Sequence, residues 1–123
     1  MKILTIAVLG LGGIFSRYFV GLLAARLMPM HFPIGTFLIN IVGSFLIGVV
    51  YVFGVEKAAM PSSMAVGLLV GFLGGFTTFS SFSLESVRLI EQAEYLLGGL
   101  YFIGSPIMGY LSALLGIVLA RRF

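Results

Sequence analysis

Three groups of polar residues stand inside otherwise apolar stretches of this chain, at spacings that could do chemistry. Asn40 has Thr36 and Ser44 four residues to either side, so the three share one helix face. Its amide carries two N–H donors, suited either to an anion or to a bond that glues two membrane helices together. The second group is Gly74-Gly75-Phe76-Thr77-Thr78-Phe79-Ser80-Ser81-Phe82. Two glycines followed by a run of hydroxyls are poor material for a continuous apolar helix. If the helix breaks there, its freed carbonyls could hold a monovalent cation, as broken helices of transporters do; a kink healed by Thr and Ser hydroxyls is the other reading. Phe79 and Phe82, three apart, share a face, and aromatic rings are positive at their edges, so two rings presented edge-on can hold a small anion. The same spacing also suits rings that face lipid or core. The third group, Tyr101, Ser105 and Ser112 with Gly109 completing the stripe, offers a line of O–H donors to an anion that accepts hydrogen bonds strongly. Hydroxyls bonded back to their own helix would look the same in sequence. Arg17 lies deep in the first apolar stretch, where it must find a partner or snorkel. Glu85, just beyond the polar run, suits either the mouth of a vestibule or a solvated helix end. His31 stands in a loop without ligand partners.

The elements that must position these groups follow from composition. Of 123 residues 60% are hydrophobic and 9% charged, where soluble domains carry about 25% charged residues. A bilayer core of about 30 Å takes about 20 apolar residues, so the chain accommodates four spans with short connections. The pattern places them at about 3–27, 34–55, 62–84 and 95–120, in one integral membrane domain covering 1–123. The fold class is an all-α membrane protein with the third helix broken mid-membrane. The first span continues past signal-peptide length and reads as uncleaved. With no Cys, no Asp and only Glu56, Glu85, Glu91 and Glu94 as acids, disulfide scaffolds, thiolate catalysis and most metal sites are excluded. The seven basic residues are scattered, unlike a nucleic-acid footprint. A lone His31 and hydroxyls without a base make no nucleophile pair, which argues against an enzyme.

Lys2, Lys57, Arg121 and Arg122 fall on one side of such a bundle and Arg26 and Arg88 on the other. So slight a bias permits insertion both ways and head-to-tail pairing. Small residues recur at four-residue spacing in Gly67-Gly71-Gly75 and Ser112-Gly116-Ala120. They let helices approach closely in lipid, where apolar surface alone gives no reason to associate. Helices packed that tightly leave no central hole, so a pore would form between subunits.

Three motifs carry a family resemblance: Gly10-x-x-Gly13-x-x-x-Arg17-Tyr18, then Gly35-Thr36-Phe37-Leu38-Ile39-Asn40-Ile41-Val42-Gly43-Ser44-Phe45, then Gly71 through Glu85, which is the most specific. With Tyr101 and Ser105 the chain resembles the bacterial CrcB/Fluc fluoride channels over nearly its whole length. The resemblance implies an antiparallel, dual-topology homodimer of four-helix subunits, with two pores at the interface and a structural sodium ion at its centre. It implies Phe79 and Phe82 as the paired pore phenylalanines, Asn40 as the pore asparagine, and Thr36, Ser80, Ser81, Tyr101 and Ser105 on or near the polar track. Arg17 matches the family's first-span arginine, Glu85 its vestibule glutamate, and Gly74 and Thr77 the backbone carbonyl ligands of sodium. Leu9, Ile14, Ser81 and Gly109 depart from the usual residues; of these only Gly109 touches chemistry, standing where a further track hydroxyl is expected.

The expected function is passive export of fluoride across a bacterial inner membrane, with fluoride, lipid and a second copy of the chain as partners and no nucleic acid. The competing readings are a small multidrug-type four-helix exporter, which wants a buried carboxylate in the first span where none exists, and an assembly subunit without transport.

Overall fold

The computed structural model describes residues 1–29 and 31–123. Four helical courses are long and apolar enough to cross a membrane: Lys2–Leu27, Ile34–Glu56, Ser62–Glu91 and Tyr95–Ala120. The first is α1 (Lys2–Leu27) and the second α2 (Ile34–Tyr51), which continues as a π turn over Val52–Glu56. The third is assembled from α3 (Ser62–Val66), a π segment (Gly67–Leu73), α4 (Gly74–Phe76) and α5 (Phe79–Glu91). The fourth is α6 (Tyr95–Ala120), with Pro106 inside it.

Prolines set the first boundaries. Pro29 follows the end of α1, and Pro33, which has no N–H to leave unpaired, caps α2. The third course runs to Glu91, beyond Leu84, where the apolar pattern ends. Charge takes a chain out of lipid without ending a helix. Here the helix stops at a left-handed Ala93 (φ 60°), around which Glu94 N–H reaches the Leu89 carbonyl at 2.9 Å and Ala93 N–H the Ile90 carbonyl at 3.0 Å. Between α4 and α5 the backbone turns extended, with ψ 159° at Thr77 and φ −150°, ψ 114° at Thr78.

The interior is small. Phe82, Leu89 and Tyr101 form its cluster, with Phe32, Phe37 and Leu97 packed against them, while large apolar side chains from Ile3 to Leu119 lie exposed on all four courses. Such an exterior suits lipid, so cohesion must come from close backbone approach. Both small-residue stripes serve it. A Cβ at Gly71 would fall 2.7 Å from the Ile6 carbonyl oxygen and one at Gly75 2.8 Å from that of Gly10, so α1 lies directly on the third course. Gly48 and Gly116 bring α2 and α6 together in the same way, against the Ala113 and Phe45 carbonyls, and Ser112 Oγ donates to the Ile41 carbonyl at 2.9 Å.

Gly13 is the tightest of these contacts, since an added Cβ would overlap the Phe72 carbonyl, whereas among the described residues nothing lies within 4 Å of one at Gly99. Gly13→Ala should therefore cost about 3 kcal/mol through forced separation of α1 from the third course, while Gly99→Ala should be neutral or slightly stabilising. Thermal unfolding in detergent checks both. Equal effects would show that close approach does not hold the bundle.

Where α2 ends, Lys57 Nζ donates to the Ala120 carbonyl at 3.1 Å, and Arg121 Nε donates to Glu56 Oε2 at 3.0 Å. The carboxylate raises the Arg121 pKa, chiefly through that hydrogen bond. The pair is exposed and contributes little to stability. It does place the ends of the second and fourth courses on one side of the bundle.

Candidate functional site

The extended pair Thr77-Thr78 organises the site. Asn40 on α2 meets Thr78 as one peptide group meets another: Oδ1 accepts the Thr78 N–H at 2.8 Å, and Nδ2 donates to the Thr78 carbonyl at 3.0 Å. The amide thus splints the interruption and keeps its second Nδ2 hydrogen available. Thr78 also restarts the helix. Its Oγ1 accepts the Ser81 N–H at 3.2 Å and lies 3.0 Å from Ser81 Oγ and 3.5 Å from Ser80 Oγ, the usual work of a helix-capping hydroxyl.

These bonds release particular carbonyls. In a continuous helix the Thr78 N–H would bond the Gly74 carbonyl and the Ser81 N–H that of Thr77. Here both donors are diverted, to Asn40 and to the Thr78 hydroxyl. The Gly75 carbonyl between them is taken by Arg17 Nε at 3.0 Å, which gives the deep arginine of α1 a partner without snorkelling. Thr77 Oγ1 donates back to the Leu73 carbonyl at 2.9 Å.

Beside the splint lies a cavity of about 330 Å³ between α2, α5 and α6. Asn40, Ser44, Thr78, Phe79, Phe82 and Ser105 are among its lining, with Gly109 and Tyr110. Phe82 is 5% exposed and Phe79 79%, with ring centroids 5.7 Å apart and planes tilted by 45°. Among the described residues no carboxylate lines this cavity.

Glu85 lies elsewhere. Its two oxygens accept from Thr36 Oγ1 at 2.6 Å and Tyr101 OH at 2.7 Å, and Tyr101, 1% exposed, packs its ring 5.1 Å from that of Phe82. Thr36 and Glu85 border a second cavity of about 360 Å³ that Gly21 and Ala24 also line.

Seven of the residues singled out in sequence therefore fall into two connected groups. Asn40, Phe79, Phe82 and Ser105 converge on one cavity. Thr36, Glu85 and Tyr101 form a hydrogen-bonded triad, so in this arrangement Thr36 and Tyr101 spend their protons on a carboxylate rather than on the first cavity. Ser80 is exposed, and Ser81 is engaged by Thr78; neither lines the first cavity. The residue that sequence reading left without a role is Thr78. The signal was present, since a threonine three residues before Ser81 at a helix restart is a capping pattern.

A family model described as CrcB-like protein, Camphor Resistance (CrcB), matches residues 4–117. The chain is 40% identical over 119 residues to a protein of Geotalea uraniireducens named fluoride-specific ion channel FluC, covering 97% of this chain and 96% of that one. Proteins of the same name from Rhizobium etli and a Hydrogenobaculum species are 40% and 39% identical, the first covering 98% of this chain and 97% of its own, the second 94% of each. The glycines that set the helices against one another, the Thr77-Thr78 interruption and the cavity beside it all lie within the matched residues, and the chain belongs to the CrcB family.

Proposed function

We propose that the chain is a passive, fluoride-selective ion channel of the bacterial inner membrane, exporting fluoride from the cytoplasm. The observation that carries this reading is its likeness, at about 40% identity over nearly the whole chain, to proteins named fluoride-specific ion channel. The cavity supports it. An anion entering must replace its hydration shell, and fluoride, small and strongly accepting, gains most from directed donors. The free Nδ2 hydrogen of Asn40 and the hydroxyl of Ser105 supply donors there, and Phe79 and Phe82 supply positive ring edges. Thr36, Glu85 and Tyr101 would shape the pathway at the second cavity, with Ser80 and Ser81 beside the splint.

The working assembly is an antiparallel, dual-topology homodimer with two pores at its interface. Phe79 and Gly74 support this, since each lies exposed on a single subunit although both flank the site; a second copy would enclose them. An isologous axis near Gly74 would set the released carbonyls of Gly74 and Thr77 opposite their counterparts, and like partial charges facing across an axis call for a cation. The carbonyls suit a structural sodium ion, a hard cation that prefers oxygen ligands, and among the described residues no cluster of His, Cys, Asp or Glu offers another metal site. Such an ion would supply positive charge that ties the two interruptions together. The interruption would then lie midway across the membrane, its backbone buried by the partner, as irregular backbone at that depth requires.

Export needs no coupling. Hydrogen fluoride crosses lipid as a neutral acid and ionises inside, and a potential negative inside drives the anion out with about 2.3 kcal/mol per 100 mV. The exporter alternative requires a titratable carboxylate in the first span, and α1 contains none. Liposome efflux decides. Purified protein should release fluoride from loaded vesicles while chloride stays inside; equal loss of both anions, or retention of fluoride, would overturn the reading.

A further inference from the structure

We infer that Ser44 is a further anion-contacting residue of the pathway, and that Gly109 holds open the space its hydroxyl serves. The inference rests on the channel reading above. Four hydroxyls around this part of the bundle are spent on backbone: Ser83 on the Phe79 carbonyl, Ser86 on that of Phe82, Ser112 on that of Ile41 and Thr77 on that of Leu73. Ser44 Oγ has no such partner among the described residues. No buried side-chain oxygen or nitrogen is left unpaired there, so this oxygen must open onto space, and the space it borders is the cavity of Asn40 and Ser105.

Register gives the hydroxyl its place. Gly48 of α2 lies against Ala113 of α6, and one turn earlier a Cβ at Gly109 would lie 3.4 Å from Ser44 Oγ. One turn earlier again, both helices bring Asn40 and Ser105 to the same cavity. Two rungs result, about 6 Å apart along the helix axes. In the first rung both helices contribute a polar group. In the second α6 contributes only the bare backbone of Gly109, and the single hydroxyl comes across from α2. An anion leaving Asn40 and Ser105 toward Tyr110 meets Ser44 next. Without that hydroxyl it would cross a turn lined by Gly43, Ile47 and Gly109, with no side-chain donor to replace lost water.

The hydroxyl is transferable in principle, because 3.4 Å is ordinary contact and leaves room for a serine side chain at position 109 once Ser44 is trimmed. Fluoride efflux from liposomes should fall at least about tenfold in Ser44→Ala, in keeping with loss of one hydrogen bond to an ion. The double variant Ser44→Ala with Gly109→Ser should recover to within about threefold of the parent, since the donor returns from the opposite helix at the same level. Size-exclusion profile and unfolding temperature verify that each variant is assembled. Should Ser44→Ala fail to assemble, Ser44→Cys, similar in volume but a weak donor, takes its place with the same expected loss. Parent-like efflux in the assembled single variant, or an assembled double variant that stays as slow as the single one, overturns the inference. If the parent protein itself passes no fluoride, it is the channel reading that fails.

Discussion

Asn40→Asp should abolish fluoride efflux and destabilise the protein at the same time. The substitution keeps the acceptor that binds the Thr78 N–H at 2.8 Å but replaces the donor that holds the Thr78 carbonyl at 3.0 Å with a second oxygen. One charge-assisted bond survives, while a carboxylate oxygen now faces a carbonyl oxygen it can only repel. Lost pairing in a partly buried place costs about 2 kcal/mol, and melting should register it. The effect on transport is larger. A fixed negative charge about 4 Å from a passing anion opposes it by about 4 kcal/mol at an effective dielectric of 20, a factor of about a thousand in occupancy. Efflux of fluoride at neutral pH, with unfolding followed in parallel, measures both. Retained efflux would place the anion's route away from Asn40.

The two phenylalanines should separate ring chemistry from packing. Phe82 is buried among Phe79, Tyr101 and Phe102, stacked on Phe102 with centroids 6.1 Å apart and planes 11° from parallel. Phe82→Ile removes ring contacts that no aliphatic chain reproduces, and should cost about 1.5 kcal/mol of stability along with most of the flux. Phe79, 79% exposed, makes far less of the subunit's interior, so Phe79→Ile should leave unfolding of the subunit unchanged while efflux still falls at least about tenfold. An aliphatic side chain preserves much of the bulk but has no positive edge to offer the ion. Normal efflux in Phe79→Ile would remove the ring edge from the mechanism and leave Phe82 a packing residue.

How much of this was legible in the sequence can be judged element by element. Four membrane-length helices follow from long apolar runs, and the turn between the first two follows from Pro29 and Pro33, because proline and hydropathy act locally. The end of the third course was harder: the pattern loses its apolar character at Glu85, yet the helix continues to Glu91 because leaving lipid and leaving the helix are separate events. The small-residue stripes were visible, but which carbonyl each glycine receives was not. Asn40, Phe79, Phe82 and Ser105 could be picked out singly, as polar or aromatic residues at helical spacing. Their convergence on one cavity could not be read from spacing, and neither could the different destination of Thr36 and Tyr101.

Taken alone, the sequence determines that this chain covers itself with apolar side chains, crosses a membrane four times, carries no acid in its first span and interrupts its third with glycine and threonine. These are properties of composition and short-range order, fixed by the cost of putting charge and unpaired backbone into lipid. Only the tertiary structure decides which groups satisfy one another. Arg17 takes the Gly75 carbonyl, Asn40 takes both polar groups of the Thr78 backbone, and Glu85 takes the hydroxyls of Thr36 and Tyr101. All of these partners lie on different membrane courses, so no helical period encodes them. A polar group in a dry bundle bonds whatever donor or acceptor packing brings within about 3 Å, and that choice is made by the close approach of backbones at glycine, after the helices already exist.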